Sequence, residues 1–215
     1  MTLLVKRLTV DMTSETLATP VDDLRGCLLA DSKLAATMGG LDDDAVRQPS
    51  LLPNWSVAHV LTHIARNGDS VVRRLEAARD GIVIDQYPGG AAGRAAEIES
   101  GAARPAEVII ADVLAVAGAV ERAALSLTAE QWRGQSRTVA GELRTAAQVL
   151  HTRRQEVEVH HADLGLGYGP KDWPSDFAEG WLAEMLPTLT DRCVPQELLA
   201  WLIGRGDAPK MTAWE

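Results

Sequence analysis

The chain has five histidines: His59, His63, His151, His160 and His161. They fall in two stretches, NWSVAHVLTHIARN over residues 54–67 and HTRRQEVEVHHADLG over residues 151–165. Imidazole nitrogens and carboxylate oxygens are the usual donors for zinc and neighbouring divalent ions. If the second stretch is helical, Glu156 and His160 stand four residues apart on one face and can offer an oxygen and a nitrogen to one ion. His63, from a facing helix, would complete an N, N, O set. Three protein ligands and an open fourth position make the arrangement of a catalytic zinc, able to polarise a substrate oxygen or activate water. Each spacing by itself is weak. The same residues could be solvated helix pairs of little energetic weight, Glu156 with Arg153 and Glu158 with His161. His161 lies about 100° round the helix from His160, which argues against both binding one ion.

Two helices must carry these ligands, and two more complete a bundle. The first is expected over residues 14–39, with Pro20, Asp22 and Asp23 suiting its first turns and Gly39 and Gly40 ending it. Its apolar stripe reads as Val21, Leu24, Leu28, Leu29 and Leu34. The second opens on Ser56 as N-cap and runs to about Gly81, with Val60, Ile64, Val71 and Leu75 facing the core. A Gly- and Pro-punctuated crossover follows, with a short helix expected over residues 94–100. The third helix runs from Pro105 to about Leu127. The fourth covers residues 143–164 and stops at Gly165 in the left-handed conformation. Four such helices joined by longish crossovers read as a mainly α four-helix bundle over residues 15–165. Residues 1–14 would be a tail, with Met12 as a second candidate start. Residues 166–215 would form a short segment, helical over 177–186 and 195–203, that packs on the bundle or on a partner.

Ala, Leu and Val dominate an apolar content of 46%, which favours helices. A net charge of −9 repels phosphate backbones, so nucleic acid is excluded as a partner. No stretch is long and apolar enough for a membrane span or a secretory signal. Cys27 and Cys193 lie far apart in sequence and suggest no disulfide framework; they read as packing thiols in a cytoplasmic protein. A monomer or small homo-oligomer is expected.

Taken together, the two histidine stretches resemble the mycothiol-dependent maleylpyruvate isomerase family, within the DinB-like metal-binding bundles. The matching residues are Trp55, Ser56 and His63, then Glu156, His160, Asp163, Leu164 and Gly165. The resemblance implies Zn2+, or another divalent metal, held by His63, Glu156 and His160. His59 matches a family histidine that is not a ligand. Asn67, one turn beyond His63, and Asp163 are candidates for contact with the cofactor or for support of the ligands. Near the end of the chain, LLAWLIGRGD resembles the family element that presents an arginine to the substrate, and Arg205 is the matching position. A guanidinium fork suits a carboxylate, since two parallel bonds can form.

The reaction implied by the resemblance turns maleylpyruvate into fumarylpyruvate, with mycothiol as thiol cosubstrate. The expected partners are therefore a small carboxylate substrate and a low-molecular-weight thiol. One alternative keeps the metal and transfers the thiol to another electrophile. A second is a non-catalytic metal-binding bundle. A metal-dependent hydrolase ranks last, because Glu158 points away from Glu156 and His160 by helical angle.

Overall fold

The computed structural model describes residues 20–212, and these form two compact units, one ending at Gly169 and one starting at Pro170. The expected tail and the expected first turns over residues 14–19 lie outside the described residues. In order, the first unit contains α1 (Val21–Met38), α2 (Asp43–Arg47), α3 (Val57–Arg79), α4 (Gly90–Ala102), α5 (Ala106–Leu125), β1 (Gln135–Arg137), β2 (Leu143–Thr145) and α6 (Ala146–Asp163). Helices α1, α3, α5 and α6 are the bundle: α3 packs on α5 and α6, and α1 packs on α6 and α5. The protein is mainly helical, as expected.

Two apolar clusters fill the bundle. One surrounds Leu34, Leu61, Ile64, Ile109 and Val157; the other surrounds Cys27, Leu75, Val120, Trp132 and Leu150. Between them a polar layer is built on the fully buried Arg153, whose guanidinium donates to Ile64 O (2.8 Å) and Asn67 Oδ1 (2.9 Å). Its other arm lies 3.6 Å from Asp31 on α1. Glycine allows α3 and α5 to approach closely, because a Cβ at Gly68 would stand 2.8 Å from a Val116 methyl.

Three elements depart from the sequence reading. In α1 the buried face is Cys27, Ala30, Leu34 and Met38, while Val21, Leu28 and Leu29 face outward. The small residues decide this, since a Cβ at Gly26 would overlap the Arg154 side chain. Helix α6 starts at Ala146 rather than 143, because Leu143–Thr145 pairs antiparallel with Gln135–Arg137. Thr145 then caps α6, accepting from Gln148 N at 3.2 Å while Gln148 Oε1 accepts from Thr145 N at 2.9 Å. The expected crossover helix is longer, and its C-terminal end is fixed by Arg47, which donates to the carbonyls of Ala102, Ala103 and Arg104.

The second unit holds α7 (Ser175–Met185), the short α8 (Leu189–Arg192) and α9 (Pro195–Leu202). Within it Trp173 and Trp181 flank the Phe177 ring, and Thr212 N donates to Arg192 O at 2.9 Å. None of the described helices is long and apolar enough to cross a membrane.

Candidate metal centre

His63 sits two turns into α3, on a helix whose entry is set by Ser56. The Ser56 backbone N–H and hydroxyl both reach His59 Nδ1, at 3.3 and 2.7 Å. His59 is thereby occupied in capping α3, and its Nε2 lies 3.5 Å from Glu99. One turn on, His63 is buried, with the edge of the Trp55 ring against it. On α6, Glu156 and His160 share the face turned towards His63, because Val157, Leu150 and Leu164 on the adjoining face are in the core.

The three side chains converge. His63 Nε2 lies 3.0 Å from Glu156 Oε2, and His160 Nε2 lies 3.4 Å from the same oxygen. Among the described residues these three offer one ligand atom each, all within 4.8 Å of one another. Donors about 2.0–2.2 Å from a tetrahedral zinc stand about 3.3–3.6 Å apart, so small adjustments would seat an ion. Nitrogen, nitrogen and oxygen also suit other divalent ions. The fit extends outward, since His160 Nδ1 meets Asp163 Oδ2 at 2.8 Å. This contact fixes the ring and leaves Nε2 as the donor nitrogen.

The electrostatics favour a bound cation. Burial would raise Glu156, but hydrogen bonds from His160 and His63 win and hold it well below the usual carboxylate range. Burial lowers His63, more than its contact with Glu156 restores. Burial also works against a charged His160, yet Asp163 and Glu156 overcome it and push its pKa up to about 9. In the metal-free chain the site therefore stores a proton on His160 beside an ionised Glu156. A divalent ion can replace that proton.

Other expected residues have different surroundings. Asn67 is buried one turn beyond His63, with its oxygen taken by Arg153. His151 Nδ1 contacts Asp23 at 2.9 Å, on the far part of α6 from His160. His161 is buried, stacked on Tyr168 at 3.8 Å and bonded to Thr37 at 2.7 Å. Glu158 is no solvated pair with His161: it is buried and accepts from the Tyr168 hydroxyl. Cys27 is buried, and that burial pushes its thiol far above the ordinary range. Arg205 belongs to the second unit, where it is exposed and donates to Gly204 O at 3.2 Å.

Two residues near the centre escaped the sequence reading. Arg94, from α4, places a guanidinium nitrogen 3.2 Å from His63 Nδ1. Tyr87, just before α4, is buried against the Arg94 guanidinium (5.9 Å from its ring centre). Burial raises the phenol, with Glu156 acting in the same direction and Arg94 and Asn67 partly opposing it. Neither residue carries a periodic signal. Arg94 reaches His63 only because α4 lies back along α3, an approach that a Cβ at Gly101 would block by striking Thr62.

Comparison with known proteins adds a family and a fold. The model described as "Mycothiol maleylpyruvate isomerase N-terminal domain" matches residues 27–165. No curated protein matches the sequence. The structure is similar to the crystal structure of the mycothiol-dependent maleylpyruvate isomerase, with a TM-score of 0.75 at 18% identity, covering 94% of this chain and 97% of that one. It is also similar to a histidine-to-alanine variant of the mycothiol-dependent maleylpyruvate isomerase, with a TM-score of 0.75 at 20% identity over 83% of this chain and 75% of that one. A third similar structure, YfiT from Bacillus subtilis, is described as a probable metal-dependent hydrolase with an unusual four-helix bundle topology. Its TM-score is 0.59 at 15% identity, covering 71% of this chain and 88% of that one. At these identities the structural likeness shows a shared fold.

Proposed function

The chain belongs to the mycothiol maleylpyruvate isomerase N-terminal domain family, and from that premise we propose a zinc-dependent, mycothiol-using isomerase that converts maleylpyruvate to fumarylpyruvate. The observation that carries this reading is the convergence of His63, Glu156 and His160 from two facing helices within 4.8 Å. A bound divalent ion would supply positive charge that favours thiolate over thiol and polarises the substrate carbonyl. His63, Glu156 and His160 would hold it, and Asp163 would keep the His160 ring in place. A carbon–carbon double bond does not rotate unaided. The thiolate sulfur adds to one alkene carbon, and the π electrons move onto the conjugated carbonyl oxygen. The remaining single bond rotates, the electrons return, and the thiolate leaves unchanged. No oxidant or net proton is needed. Cys27 is too deeply buried to act as the nucleophile, and this reading takes the thiol from an external cosubstrate. Arg205 would bind a substrate carboxylate.

A second reading is transfer of the thiol to another electrophile. It needs the same three ligands and makes no demand on Arg205, whose guanidinium is bonded to Gly204 O. A hydrolase, as YfiT is described, ranks below both, because Glu158 is engaged by Tyr168 and is not free to act as a base at the ligands. Turnover of maleylpyruvate by the zinc-loaded chain, with and without mycothiol, tests the proposal. Thiol-dependent conversion supports it. Absence of conversion at full zinc loading overturns the isomerase.

A further inference from the structure

Among the described residues near the bundle's ligand end, Arg94 is held by neither a carboxylate nor a backbone carbonyl. Arg66 and Arg104 share Asp112, at 2.6 and 2.7 Å, and Arg47 is spent on the carbonyls that end α4. Arg153 is buried against Asp31 and Asn67. Arg94 is half-buried, and its partners are a ring nitrogen, His63 Nδ1 at 3.2 Å, and the Tyr87 side chain. Among the described residues no carboxylate lies within ion-pair distance of it. A partly desolvated guanidinium held by such weak acceptors is well suited to bind an anion.

Resting on the metal-site reading above, we propose that Arg94 is a substrate-binding residue, which takes one carboxylate of a dicarboxylate whose reacting part lies at the metal. Maleylpyruvate has two carboxylates, and Arg94 would bind one of them. The specificity implied is for anionic substrates, with neutral electrophiles disfavoured.

Calorimetric titration of malonate into the zinc-loaded full chain tests this in four proteins: wild type, Arg94→Gln, Arg94→Lys and, as a control for net charge, Arg79→Gln at an exposed site paired with Asp80. Zinc content is measured alongside. Arg94→Gln should weaken malonate binding by about tenfold or more, with Arg94→Lys in between and Arg79→Gln unchanged, all at one zinc per chain. If Arg94→Gln does not fold, the same loss in part by Arg94→Lys carries the result. Equal malonate affinity in wild type and in the Arg94 variants overturns the proposal, as does zinc-loaded wild type that binds no malonate. Failure of wild type to take up zinc overturns the metal reading itself, and this proposal with it.

Discussion

Helix α6 carries two glutamate–histidine pairs a few residues apart. Glu156 and His160 sit at i, i+4; Glu158 and His161 sit at i, i+3, on another face of the same helix. All four are buried or nearly so. The second pair is locked: Tyr168 stacks on His161 and donates to Glu158, while Thr37 contacts His161 Nε2 at 2.7 Å. The first pair is open. It faces an imidazole from α3, and Glu156 serves both histidines at once. Local spacing therefore does not separate a ligand pair from a packing pair. The residue brought opposite does: a third donor for Glu156 and His160, an aromatic ring for Glu158 and His161.

That contrast can be broken most directly at His63. His63→Ala should lower zinc affinity by about a hundredfold or more with the helical signal retained; the parallel His161→Ala protein should keep its zinc. Metal analysis after dialysis decides, and stoichiometric zinc in His63→Ala would remove the distinction. The pH dependence is next in size. In the metal-free chain His160 keeps its proton up to about pH 9, whereas Glu156 stays ionised. Protons therefore compete with the ion below that pH. Apparent zinc affinity should rise by about tenfold per pH unit through neutrality and level off above about 9, as read by competition with a chelating dye. A flat profile would show that the His160 proton is not displaced.

Asp163→Ala removes the support of the His160 ring and should weaken zinc by about 10- to 100-fold, an effect confined to the open pair. His161→Ala should instead cost about 2–3 kcal/mol of stability in urea unfolding, through the lost stack on Tyr168 and the cavity left behind. Smallest of all, the double Cys27→Ser, Cys193→Ser protein should turn over substrate at the wild-type rate if folded. An inactive but folded double variant would move the nucleophile into the protein.

The helices were legible because the apolar spacing of Val60, Ile64, Val71 and Leu75 has the helical period, and because Ser56 and Gly165 mark ends. The α1 face was not. Its leucines outnumber its small residues, but Gly26 and Ala30 set how closely the neighbouring helices can come. The start of α6 was also hidden, since pairing of Leu143–Thr145 with a strand eight residues earlier competes with helix propensity.

At the site, the sequence alone determined which residues share a helix face, because the α-helical period is fixed by backbone geometry. It could therefore bring Glu156 and His160 together. Tertiary structure alone decided that His63 stands 3.0 Å from Glu156 across 93 residues, and that Arg94 reaches His63. Those distances depend on how closely helices pack, which is set by side-chain volumes at Gly68, Gly101 and Val116 summed over the whole core, and no local period encodes that sum.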